Sequence, residues 1–119
     1  MTTKVDSLGQ FEQFVLTAIM ALREQAYGLQ IYSKVCELAG KQVNLGSIYV
    51  TLDRLENKGY IASAIADGTP ERGGRPKRFC RLQPAGMLAL EESVKAATRV
   101  SDTFYKSWGI GKWRPKRAK

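Results

Sequence analysis

Residues 44–82 form one uninterrupted string, NLGSIYVTLDRLENKGYIASAIADGTPERGGRPKRFCRL, whose internal order leaves few folds open. Asn44 is a good helix N-cap, because its side-chain oxygen can accept the backbone N–H near Ser47. Ile48, Leu52 and Leu55 then return on one side of a helix predicted over 45–58. Lys58-Gly59 ends that helix, since glycine takes the left-handed cap conformation without a Cβ clash. The run from Tyr60 to Ile65 reads as a strand. Asp67-Gly68 opens a turn region, Gly73-Gly74 and Pro76 mark its tip, and Lys77 to Leu82 returns as a second strand.

Upstream, Phe11, Phe14, Val15, Ala18, Ile19 and Leu22 recur at three- and four-residue steps, predicting an amphipathic helix over 10–23. Glu24-Gln25-Ala26 is a break. Tyr27-Gly28 opens a second helix running to Ala39, with Gly40 as its stop. Lys41 to Val43 is a link with the makings of a small strand. Downstream, Pro84 suits a first helical turn. Met87, Leu90, Val94, Ala97, Ser101, Phe104 and Trp108 then follow in alternating steps of three and four, a coiled-coil-like seam.

The chain has 119 residues and a net charge of +8, and the cations are not spread evenly. Arg72, Arg75, Lys77, Arg78 and Arg81 crowd into the hairpin against Glu71. Lys112, Arg114, Lys116, Arg117 and Lys119 crowd into the tail with no acid among them. Such clustering points to a polyanion, nucleic acid being the commonest. There is no histidine, and the two cysteines, Cys36 and Cys80, lie far apart. This excludes the usual zinc spacings and every Ser-His or Cys-His catalytic pair. No enzyme, metal or cofactor is expected; each cysteine sits in an apolar pattern and reads as a small buried hydrophobe. No apolar run approaches the ~20 residues that span a bilayer, and Met1 to Gly9 lacks the apolar stretch of a secretion signal. A cytoplasmic protein is expected.

A helix feeding into a cationic hairpin is what a winged helix-turn-helix requires: a rod for the major groove and a flap for the neighbouring phosphates. The expected class is α+β, mostly helical. The winged domain spans 8–83, a dimerisation helix 84–108, and a basic, disordered tail 109–119. On a helical wheel Gly46, Val50, Asp53, Arg54 and Asn57 fall opposite the apolar edge. The expected DNA-contacting set is Asn44, Ser47, Tyr49, Val50, Thr51, Arg54 and Lys58 on the helix. Arg72, Arg75, Lys77 and Arg78 join it from the wing, 68–78. Arg54 suits a bidentate contact to guanine and Val50 a thymine methyl. Asp53 is out of place near phosphates; orienting Arg54 or Lys58 is one role for it, lying outside the contact zone another.

The strings LGSIYVTLDRLENKGYI and ERGGRPKRFCRLQPAG, with the first-helix segment LTAIMAL and Tyr27-Gly28-Leu29-Gln30-Ile31, resemble the PadR-like transcriptional regulators over roughly residues 8–90. The resemblance implies a winged helix-turn-helix, a homodimer and, usually, repression from a palindromic operator in double-stranded DNA. It places DNA contacts on Ser47, Tyr49, Arg75 and Lys77. For Tyr49 a partly buried packing role competes. Two departures stand out: Leu45 where the family often has proline, and Gln83 where it often has threonine, a weaker cap offset in part by Pro84. The resemblance also implies a C-terminal helix packed on the partner subunit, which fits Leu90, Val94, Ala97, Phe104 and Trp108. Some relatives bind planar aromatic compounds between subunits, making Trp108 and Trp113 candidates to line an effector site; core packing or anchoring of the tail is the competing role. Two other functions stay open on the residues alone: a nucleic-acid module without sequence preference, architectural or RNA-binding, and a winged module that holds another protein.

Overall fold

The computed structural model describes residues 8–66 and 76–109. The elements are α1 (Gln10–Leu22), a 3-10 turn (Arg23–Gln25), α2 (Gly28–Ala39), α3 (Leu45–Asn57), β1 (Ile61–Ala66), β2 (Lys77–Leu82) and α4 (Pro84–Gly109). Three helices followed by an antiparallel hairpin make a winged helix-turn-helix. The elements fall within about one residue of the positions their apolar spacing predicts. Lys41 to Val43 is the exception: it runs without strand pairing, and the place beside β2 is taken by Tyr27.

The first three helices each end for a local reason. Gly40 caps α2 at φ 73°, its N–H donating to the Cys36 carbonyl at 2.9 Å. Gly59 does the same after α3 at φ 79°, its N–H reaching the Glu56 carbonyl at 2.9 Å while the Tyr60 N–H reaches that of Leu55 at 3.0 Å. At the end of α1, Arg23 takes a positive φ of 53° without being glycine, a conformation that carries strain. The turn swings the chain so that Tyr27 lies beside β2. There it forms a one-residue antiparallel bridge to Phe79, and the Cys80 N–H donates to the Ala26 carbonyl at 2.8 Å.

The core lies where the apolar stripes of the helices converge on the base of the hairpin. Val15, Leu16 and Ile19 of α1 meet Ile31 and Val35 of α2, and Ile48, Leu52 and Leu55 of α3. Ile61 of β1, Cys80 of β2 and Ala89 and Leu90 of α4 close it. Burying each large aliphatic side chain contributes about 1.5–3 kcal/mol. The hairpin pairs Ile61 with Leu82, Ser63 with Cys80 and Ile65 with Arg78. One face of the sheet therefore runs from apolar at the core, through Ser63 and Arg78, to an exposed Ile65. α4 docks against the corner between α3 and β1, where the Gln83 N–H donates to the Tyr60 carbonyl at 2.9 Å. Gly86 makes this approach possible, since a Cβ there would collide with the Tyr60 carbonyl oxygen.

Leu90 departs from its expected place in a seam between subunits. It is 3% exposed and belongs to the chain's own core, because the first turns of α4 are the part that packs against α1. Beyond it the helix carries Val94, Val100, Phe104 and Tyr105 with about half or more of each side chain in solvent. Phe104 stacks on Trp108 at 5.6 Å and meets Tyr105 edge-on at 4.9 Å. No helix among the described residues is long and apolar enough to cross a membrane.

Candidate nucleic-acid interface

The outward face of α3 starts at its cap. Asn44 Oδ1 accepts the Ser47 N–H at 3.1 Å, fixing the first turn. With Ile48, Leu52 and Leu55 locked in the core, Ser47, Val50, Asp53, Arg54 and Asn57 are turned outward and exposed. Asn44, Gly46, Ser47, Val50, Thr51 and Arg54 line an open depression of about 620 Å³ that Phe11 of α1 closes on one side. Thr51 borders this depression but is not turned outward with the others. It is 5% exposed, since its position on the helical wheel lies closer to Ile48 than to Val50. Tyr49 is exposed as well, at 39%. Its ring is partly exposed, while its hydroxyl sits over Gly28 at the start of α2, so that a Cβ at position 28 would come within 2.6 Å of the Tyr49 Oη.

Both flanks of α3 are tied down by charge. Towards α1, Lys58 Nζ donates to Glu12 Oε2 at 3.1 Å, and the Gly9 N–H donates to Glu12 Oε1 at 3.0 Å. Glu12 thus closes the N-terminus of α1 and receives the C-terminal cation of α3 at once. Burial works to raise its pKa, but the Gly9 N–H, the Lys58 ammonium and the nearby charge of Arg54 outweigh it and hold the carboxyl below the usual range. Lys58, expected among the DNA contacts, has its ammonium engaged within the domain.

Towards the wing the roles reverse. Arg78 of β2 places Nη1 3.1 Å from Asp53 Oδ1 and Nη2 2.7 Å from Glu56 Oε1. The Ser63 hydroxyl of β1 donates to the same Glu56 oxygen at 2.8 Å. These two hydrogen bonds hold the Glu56 carboxyl below its ordinary range. Arg78, expected among the wing's phosphate contacts, is therefore bound to the recognition helix. The partner of Asp53 is Arg78, not Arg54 or Lys58.

At the base of the wing, Lys77 Nζ lies 3.8 Å from the centre of the Tyr27 ring, and Tyr27 meets Phe79 edge-on at 5.3 Å. Arg72, Arg75, Trp113 and the basic tail lie outside the described residues. Cys80 is buried, and burial pushes its thiol up, away from reactivity; Cys36 is only half-buried.

Sequence reasoning did not find Glu12, Glu56, Ser63 and Tyr27 as members of this surface. Glu12 sits 46 residues from Lys58 and Glu56 22 from Arg78, and no local pattern links residues so far apart. The one usable signal was the carboxylate three residues after Gly9, which predicts a cap but not its second partner.

The family model of the PadR-like transcriptional regulators matches residues 15–92. Among solved structures, a PadR family transcriptional regulator from Eggerthella lenta is 26% identical over 79% of this chain and 80% of that one, with a TM-score of 0.63. A PadR-like transcription factor from Bacteroides fragilis is 23% identical over 82% of this chain and 89% of that one, at 0.64. BpsR from Bordetella bronchiseptica, whose DNA binding is regulated by 6-hydroxynicotinic acid, is 19% identical over 96% of this chain and 74% of that one, at 0.60. No curated protein matches significantly. A match over well more than half of the chain, on a fold that carries the family's helix-and-wing order, decides the matter: the chain belongs to the PadR-like family of transcriptional regulators.

Proposed function

We propose that the protein is a homodimeric, sequence-specific DNA-binding regulator that represses transcription from a palindromic operator. The observation that carries this reading is the outward face of α3. Ser47, Val50 and Arg54 are exposed together along one side of a helix held rigidly by the core, and Arg54 makes no ion pair among the described residues. In the major groove Arg54 donates two hydrogen bonds to guanine and Val50 covers a thymine methyl. Ser47 and Tyr49 reach the backbone or base edges from the first turns, with Asn44 holding the helix end that points at them. Arg72, Arg75 and Lys77 contact phosphates or the minor groove from the wing.

Dimerisation rests on α4. A 26-residue helix is roughly 39 Å long, and only its beginning is covered by its own domain. Val94, Ala97, Phe104 and Trp108 belong to the uncovered part, and pairing with a second copy would bury Val94 and Phe104, each about half exposed. A two-fold pair sets two α3 helices on successive turns of one duplex face, roughly 34–36 Å apart. The stacked Phe104–Trp108 pair suits a planar aromatic effector between subunits, a subordinate part of this reading.

Selection of bound sequences from a random duplex pool tests the reading. A palindromic consensus is expected. Equal retention of scrambled duplex or RNA overturns it. With the consensus in hand, Arg54→Ala is expected to lose about 1–3 kcal/mol on that site and little on scrambled DNA. Deleting the gene is expected to raise transcription from promoters that carry the site, and a fall would reverse the sign of regulation.

A further inference from the structure

A recognition helix that enters the major groove with two carboxylates on its flank works against itself. Asp53 and Glu56 sit three residues apart, on one side of α3, and the Asp53 side chain is 68% exposed. Phosphates line the groove on both sides, and an uncompensated carboxylate there is repelled. Arg78 answers both at once. Its planar fork places one terminal nitrogen on each carboxylate, at 3.1 and 2.7 Å, while its own side chain is only 23% exposed. Ser63 completes the arrangement by donating to Glu56 from the other strand. One carboxylate thus gathers α3, β1 and β2, and the guanidinium crosses from the wing to the helix.

We propose, resting on the DNA-binding reading above, that Arg78 is a positioning residue. It neutralises the acidic flank of α3 and fixes the angle between recognition helix and wing, and it is not a phosphate ligand. Arginine suits the task because its fork spans two carboxylates; a lysine ammonium is a point charge and serves one. The wing's phosphate contacts then fall to its other cations.

The two roles predict different couplings. A phosphate ligand contributes the same whether or not Asp53 and Glu56 are charged, and its loss lowers the log–log salt slope by about 1. A positioning residue matters only while the carboxylates are there. The test is a cycle of Arg78→Gln in two backgrounds, native and Asp53→Asn/Glu56→Gln, with binding to the selected palindromic duplex measured over a range of salt. The expected result is a loss of about tenfold in the native background and less than about threefold in the neutralised one, with the slope unchanged in both. Equal losses in both backgrounds, or a slope that falls by about 1, overturn the proposal. If Arg78→Gln melts below the assay temperature, Arg78→Lys takes its place in the same cycle, with coupling of the same sign expected. If the native protein selects no consensus, the functional reading fails first. If it selects one and the cycle shows no coupling, only the role of Arg78 fails.

Discussion

The two flanks of α3 are tied in opposite senses. On the side of α1 the helix supplies the cation, Lys58, and its neighbour supplies the acid, Glu12. On the side of the wing the helix supplies two acids, Asp53 and Glu56, and its neighbour supplies the cation, Arg78. Burial separates them further. The Glu12 side chain is 11% exposed and the Asp53 side chain 68%. A tie shielded from water holds two helices together, whereas a tie in water is weak as glue and chiefly sets direction and local charge. The inner flank therefore belongs to stability and the outer flank to the geometry of the surface that meets a partner.

The hardest way to break this comparison is to remove what both flanks lean on. Leu55→Ala empties the core beneath α3 and is expected to cost about 2–5 kcal/mol in urea unfolding. The two ties should then fail together; a loss well under 1 kcal/mol would mean that they, and not the core, hold the helix. Next is the inner tie. Glu12→Ala leaves a partly buried ammonium and the Gly9 N–H without partners and is expected to cost about 1–3 kcal/mol. On the outer flank Asp53→Asn is expected to cost less than about 1 kcal/mol, as exposed pairs do. Equal costs for the two would erase the distinction drawn here.

Acid sharpens the same contrast. The folded-state pKa of Glu12 is depressed below its unfolded value. Its stabilisation is thus complete above the ordinary carboxylate range and is lost as pH falls through the lowered value. Glu56 is shifted in the same direction, but it is far more open to solvent. Urea midpoints followed from neutral into acid pH should show a flatter acid limb for Glu12→Gln than for Glu56→Gln. The reverse order would mean that the wing, not α1, carries the linkage. The smallest effect on stability is expected from Gly28→Ala. A Cβ there displaces the Tyr49 hydroxyl, while alanine favours the helix. The thermal midpoint should hardly move while affinity for the selected duplex falls, and unchanged affinity would remove Tyr49 from the surface.

Much of the fold was legible because its signals are local. Asn44 before a spaced apolar run, glycines at 40 and 59, and Pro84 at a first turn each act within a few residues, and the structure uses each of them as its chemistry predicts. The outward set Ser47, Val50 and Arg54 was legible for the same reason: a helical wheel needs only spacing. Thr51 lies nearer the buried edge on the same wheel, so spacing alone argued against the place it was given beside that set. Leu90 was misplaced because a repeating seam shows which residues are apolar, not whether their own domain or another copy covers them. Lys58 and Arg78 were counted as free cations because a charge reads the same in sequence whether or not a carboxylate from elsewhere in the fold lies within about 3.1 Å of it.

The sequence alone settles the order of elements, the helix that faces outward and the basic character of the hairpin, since each follows from interactions between near neighbours in the chain. The tertiary structure decides which charges remain available. Glu12, Asp53 and Glu56 find Lys58 and Arg78 only when α1, α3 and the wing are brought together, and pairing across the fold depends on distance in space, which residue spacing does not encode.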